Sequence, residues 1–332
     1  MDEEPQARTR RRTAIVALLF TTVLWGLSFP LGKAVTLLHR SLDPEASGWF
    51  VTVSTIWPRF AMAALLLAPF AGGSLVRLRR GELVQGLGLA AFMSAGLLLQ
   101  MDGLQHTTAS TSAFLSQGYV VLVPLVVFAR RREWPPPRVV VAVLLVVLGC
   151  AVLADVDWRT LRMGRGEAET LLSTVFFTGQ ILWLERGVFR FNRALVVTCV
   201  MFVATALVFL VAAVLLAPAP SAVVTPFASV AWSTGSVCLA VFCTAGALTL
   251  MNAFQRRVAA TEAGLIYAGE PVWASGLALF LPAVLAAWGG FEYANESMTL
   301  RLALGGTLIC AANVAMHLRW VPRRRVVGVA DQ

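Results

Sequence analysis

Apolar residues run almost unbroken over ten stretches of this chain, and the polar residues are gathered between them. The runs fall at about residues 13–35, 56–76, 83–104, 107–128, 137–154, 168–187, 194–216, 231–253, 260–282 and 300–320. Each approaches the roughly 20 residues that a helix needs to cross the hydrocarbon core of a bilayer. Strands of a membrane barrel would be shorter and alternating, and the continuous run from Val139 to Leu153 excludes them. The pattern predicts an all-α integral membrane protein of ten transmembrane helices, because only helices satisfy the backbone where no water reaches it. Arg8 to Arg12 ahead of the first run resemble a signal-peptide n-region, but no small-residue cleavage site follows. That segment reads as a retained first helix.

Composition agrees. With 58% hydrophobic and 14% charged residues, the chain has too little polar surface to cover a soluble domain, which excludes a soluble enzyme. The net charge of +9 comes from 26 Arg and one Lys against 18 acids. These cations sit between apolar runs rather than on a patch suited to nucleic acid, and the Arg excess reads as codon bias. Cys150, Cys199, Cys238, Cys243 and Cys310 all lie inside apolar runs without metal-ligand spacing, so they read as core packing and no metal or cofactor is expected.

Cations also set the orientation, since short Arg-rich connections stay cytoplasmic. Placing both termini inside assigns twenty cations to the cytoplasmic side and seven to the outer side and its helix ends, among them Lys33, Arg40, Arg59, Arg165 and Arg301. The outer connections are then residues 36–55, 155–167, 217–230 and 283–299. Trp49, Trp57, Trp158, Trp232 and Trp288 fall there or nearby, as an interfacial belt would. The expected organisation is a basic N-terminus (1–12), a five-helix unit (13–154), an outer loop (155–167), a second five-helix unit (168–320) and a cytoplasmic tail (321–332), in a bacterial plasma (inner) membrane.

Five helices per half is an odd number, so the second half enters from the opposite side. Inverted repeats of this kind recur in secondary transporters, with the substrate site at the midplane between them. Several stretches carry a more specific signal: Leu24-Trp-Gly-Leu-Ser-Phe-Pro-Leu-Gly-Lys33, Pro58-Arg-Phe-Ala-Met-Ala63, the run from Ser110 to Tyr119-Val-Val-Leu-Val-Pro124, Gly179-Gln-Ile181, and Gln255 through Glu270-Pro-Val272. In this order the chain resembles the EamA-type transporters of the drug/metabolite transporter superfamily, as two repeats over about residues 14–153 and 168–318. The resemblance implies a transporter and leans towards export. The 36–55 connection looks long for the family, and residues 282–297 lack its Gly-Glu pair.

Glu270 lies ten residues into the ninth run, about 15 Å deep at 1.5 Å per residue. Intramembrane acids face a cavity or a partner and mark substrate or proton paths; alternatively Glu270 serves the backbone freed by Pro271. Pro124 and Pro271 are the expected kinks. Gln117 and Tyr119 lie at similar depth and Gln180 somewhat deeper; they line a polar cavity or act as amide glue between helices. Tyr267 and Trp25 offer aromatic faces to a substrate or simply pack. Trp183 and Trp273 raise the same choice. Lys33 and Glu185 would guard opposite mouths when Trp25 is aligned with Phe177. Snorkelling to the headgroups explains each charge singly and is the favoured reading for Lys33 and Arg59. Gln255 and Asn313, with Asn252, are candidate parts of a cytoplasmic gate. Gly86, Gly88, Gly96, Gly305 and Gly306 permit close helix approach.

These features favour a secondary transporter of a small polar or amphipathic metabolite. Its partners would be the lipid bilayer, that solute, protons as a coupling ion and a second copy in a homodimer. No phosphate-binding Gly-x-x-x-x-Gly-Lys-Ser/Thr is present to use a nucleotide. A lipid translocator on the same scaffold is the alternative. An intramembrane enzyme lacks support, because His39, His106 and His317 are far apart and no nucleophile motif accompanies them.

Overall fold

The computed structural model describes residues 3–154, 163–258, 263 and 266–317. Most of those residues are helical, and none of them forms a strand. Among the described residues the longer helices are α1 (Glu3–Leu42), α2 (Gly48–Ala71), α3 (Arg80–His106), α4 (Ala109–Arg131, interrupted at Gln117), α5 (Pro137–Leu153), α6 (Arg165–Leu184), α7 (Ala194–Leu216), α8 (Val230–Phe254), α9 (the bent pair Glu270–Ala278 and Leu281–Gly289) and α10 (Leu300–His317). Among the described residues, α1, α2, α3, α4, α7 and α8 are long and apolar enough to cross a bilayer alone, and α9 makes a seventh if its halves, inclined by 56°, form one span. The apolar parts of α5 and α10 are shorter. The protein is thus an all-helical integral membrane protein.

Helix ends obey local chemistry. Ser47, Thr108 and Ser229 accept a backbone N–H three residues on and start α2, α4 and α8. Arg132 and Gly290, both left-handed, end α4 and α9. The expected outer loop at 36–55 is mostly helix: α1 continues to Leu42, Ser47 already caps α2, and only residues 43–47 connect them. Polar residues such as Thr36, His39 and Arg40 hid this extension from a hydropathy reading. The 155–167 connection lies largely outside the described residues.

The packing pairs helices of the N-terminal half with helices of the C-terminal half. Helix α2 lies on α7 and α5 on α10; α1 packs on α8 and α9, as α6 packs on α3 and α4. Glycines set the separations. A Cβ on Gly149 would stand 2.9 Å from the Gly305 carbonyl, and one on Gly305 would stand 3.0 Å from the Gly149 carbonyl, so α5 and α10 touch backbone to backbone. Gly86 meets Val200, Gly96 meets Phe177 and Gly306 meets Phe114 at similarly close range. The main core fills the space between α1, α2, α3, α6, α7 and α9, with Phe60, Phe202, Phe209 and Leu89 fully enclosed. A smaller cluster joins α4, α5 and α10.

Gly305→Leu should therefore lower thermal stability by about 1–3 kcal/mol through overpacking. Gly276→Ala, where nothing lies within 4 Å of the new Cβ, should leave the unfolding midpoint of the protein in nanodiscs unchanged.

Candidate functional site

Two broken helices cross near the centre of the bundle. Helix α4 is interrupted at Gln117, and a turn at Ala268–Gly269 precedes α9, which starts at Glu270. The interruption in α4 falls seven residues before Pro124, which sits inside regular helix. Pro271 does not kink a continuous helix but occupies the first turn of a new one, where its missing N–H has no intrahelical partner to lose. The second bend in α9, beyond Ala278, is followed by Pro282 in the same role.

Small residues let the neighbouring helices close on both breaks. Gly118 faces Thr174 of α6, and Gly269 faces Thr22 of α1; each threonine returns its own hydroxyl to a carbonyl three residues back, Leu171 and Leu19. A Cβ on Gly26 would stand 3.0 Å from the Glu270 carbonyl and 2.5 Å from the Trp273 Cβ, so α1 lies directly on the start of α9.

Between these elements is a cavity of about 90 Å³, room for several waters. Of the residues singled out from sequence, Glu270, Tyr119, Gln180, Tyr267, Trp25 and Arg59 line it together. Glu270 is only 6% exposed and lines the cavity together with Tyr119. Trp25 and Tyr267 meet edge to face at 5.1 Å. Gln117 stands behind the wall: its amide donates to the Tyr267 carbonyl at 3.4 Å and to the Tyr119 hydroxyl at 3.5 Å.

Arg59 departs most from the sequence expectation. It does not snorkel to a mouth; it is 6% exposed, faces the cavity, and donates to the Thr244 hydroxyl and, at 3.3 Å, to the Cys243 carbonyl. Both acceptors lie in a π-helical stretch of α8, Leu239–Gly246. The long connection assumed before α2 had placed Arg59 near a helix end, whereas it is eleven residues into the helix, about 16 Å from its start.

Towards the arginine-rich end of the bundle, Tyr267 donates to Gln255 Oε1 at 2.9 Å and Gln255 donates to Glu185 at 3.2 Å. These residues close the cavity on that side. Nearby, buried Glu82 accepts from Arg193 Nε and Nη2 at 2.7 Å each, while Arg193 also donates to the carbonyls of Ser74 and Arg77. At the opposite end, buried Asp102 pairs with Arg165 and accepts from Thr52 at 3.0 Å. Lys33 donates to the Thr107 carbonyl, and Glu296 accepts the N–H groups of Ala109 and Ser110 at 2.6 and 3.2 Å. Glu82 and Asp102 were missed from sequence, although both lie in or beside an apolar run, the signal that singled out Glu270.

Other candidates stand apart from the cavity. Asn313 is buried with both side-chain polar atoms unpartnered among the described residues. Asn252 donates to Thr198 at 2.8 Å, joining α8 to α7. Trp183 donates to the Gln85 carbonyl, and Trp273 is half-exposed on the outer face. Trp232, expected in an interfacial belt, is fully buried against His39 and Phe227. Trp158 lies outside the described residues.

Comparisons with known proteins point to a transporter. Residues 12–154 match the model of the EamA-like transporter family. The chain is 28% identical over 315 residues to an uncharacterized transporter of Archaeoglobus fulgidus, covering 93% of this chain and 87% of that one. A crystal structure of another protein shares the fold, with a TM-score of 0.57 at 19% identity over 95% of this chain and 99% of that chain. The family match lies in the first half of the chain, and together with the transporter-named relative it supports a transporter role.

Tyr267→Phe would leave the buried Gln255 Oε1 without its donor. It should destabilise the protein by about 1–3 kcal/mol, whereas Tyr267→Phe combined with Gln255→Met should lose less than the sum of the single changes in a thermal-unfolding double-mutant cycle.

Proposed function

We propose that this chain is a secondary transporter that carries a small polar or amphipathic metabolite by alternating access around the central cavity. In this reading ten spans form two inverted five-helix repeats in a bacterial plasma (inner) membrane, with both termini cytoplasmic, and the solute is exported. The observation that carries the reading is a cavity lined by Glu270 and Tyr119 where two broken helices cross, the arrangement in which transporters hold solutes and coupling ions.

The repeat is supported by the symmetry of the helix pairing and by the two breaks, each packed on a threonine of the equivalent helix, Thr22 and Thr174. Aligning Trp25 with Phe177 also aligns these threonines and their acceptors, Leu19 and Leu171. Orientation rests on the Arg-rich connections, and the direction of transport on the family resemblance alone. Enclosure of Glu270, Tyr267 and Arg59 favours a small solute over a lipid. Energy would come from an ion gradient, with Glu270 as the group that gains and loses a proton.

Two experiments test this. In inside-out vesicles with an imposed pH gradient, wild type should accumulate at least one solute of a metabolite panel and Glu270→Gln should not; unchanged flux and pH dependence in the variant would remove Glu270 from the path. For orientation, Ser297→Cys should react with a membrane-impermeant maleimide from outside intact cells, and Gln332→Cys only after permeabilisation; the reverse pattern would invert the topology.

A further inference from the structure

Arg59 is an unusual residue to find in a hydrocarbon-thick bundle without an acid beside it. A guanidinium at this depth is normally paired or turned to water, since an unpaired charge there is heavily penalised. Here its neighbours are neutral: the Thr244 hydroxyl, the Cys243 carbonyl and, at 5.9 Å, the ring of Phe60. Among the described residues it forms no ion pair, including with Glu270, although both line the same cavity. Nε and one bond from Nη2 are engaged by α8, and Nη1 has no hydrogen-bond partner among the described residues. The two bonds to α8 hold the guanidinium in place, leaving donors of its planar fork for something else.

Building on the transporter reading, we propose that Arg59 is the anion-binding group of the cavity and holds the carboxylate of the transported solute, whose apolar body rests on Trp25, Phe60, Phe177 and Tyr267. A carboxylate matches the free donors of the fork in geometry and charge. The small volume of the cavity suits a compact monoanion. The π-helical stretch has a part in this: it supplies the Cys243 carbonyl and the Thr244 hydroxyl that orient Arg59, a common setting for irregular helix at functional sites.

The test uses the full chain in nanodiscs and two isosteric probes small enough for the cavity, propanoate and the neutral propanamide, with binding read from tryptophan fluorescence. Wild type should bind the carboxylate about tenfold or more tighter, as a charge-assisted hydrogen bond predicts. Arg59→Gln should bind both probes equally, with amide affinity unchanged, and Arg59→Lys should keep part of the preference. Thermal unfolding separates a structural role: an unpaired buried charge that serves a ligand should leave the midpoint unchanged or raised in Arg59→Gln. Equal binding of the probes by wild type, no binding of either, a preference that survives Arg59→Gln, or loss of amide binding together with a fallen midpoint would each overturn the proposal. Flux of the same probes through proteoliposomes is scored separately. Binding with carboxylate preference but no flux would count against transport and leave Arg59 as the anion group, whereas flux without preference would do the reverse.

Discussion

In the core of a bilayer a backbone N–H or C=O that leaves its helix has no water to turn to, so a helix can be broken only where the protein supplies the missing partner. The central irregularities of this chain obey that constraint. The Tyr267 carbonyl, next to the break before α9, takes the Gln117 amide. The π-helical stretch of α8 gives its Cys243 carbonyl to Arg59 and its Leu239 carbonyl to the Thr244 hydroxyl. The polar side chains that satisfy the breaks are the same ones that line or back the cavity. Irregular backbone and polar site are one feature, and the helices are broken where a solute would sit.

Helix α3 connects this centre to both ends. Glu82 and Asp102 are twenty residues apart, about 30 Å along the helix, which is the thickness of the hydrocarbon core. Each binds an arginine of the second half, Arg193 and Arg165, so both ends of one helix are clamped across the interface between halves. Tyr267, Gln255 and Glu185 are joined beneath the cavity. In the proposed transport cycle these bonds and the two clamps are contacts that a change of access would have to break.

Much of this was legible in the sequence because the constraint acts on composition: a helix that spans lipid must be apolar throughout, and an acid within it stands out. Glu270, Tyr119, Gln180, Tyr267 and Trp25 could be named together for that reason, and they do meet at one cavity. What hydropathy could not show was where helices continue through polar sequence. The extension of α1 to Leu42 moved the start of α2 and with it the depth of Arg59, turning a supposed mouth residue into a cavity residue. Nor could it show rotation about a helix axis: Trp232 and Trp273 look alike in sequence, yet one is enclosed and the other faces outward. The breaks were misplaced because proline was taken as their cause. The chain turns at Gln117 and at Gly269, and the prolines lie within or at the start of the helices that follow.

On the inverted-repeat reading proposed above, the frame is shared by the two halves and the chemistry is not. Thr22 and Thr174 sit against Gly269 and Gly118 because two helices must approach two breaks in the same way, a requirement of backbone geometry that is equal on both sides. A solute is not two-fold symmetric, and nothing requires the groups that meet it to be. Under the alignment of Trp25 with Phe177, the position matching Glu270 is Gly118, and the first half contributes the neighbouring Tyr119 to the cavity lining instead. Arg59 from the first half and Glu270 from the second therefore give the cavity two chemically distinct walls. In the proposed transport cycle, unlike walls of this kind would hold the solute in a single orientation.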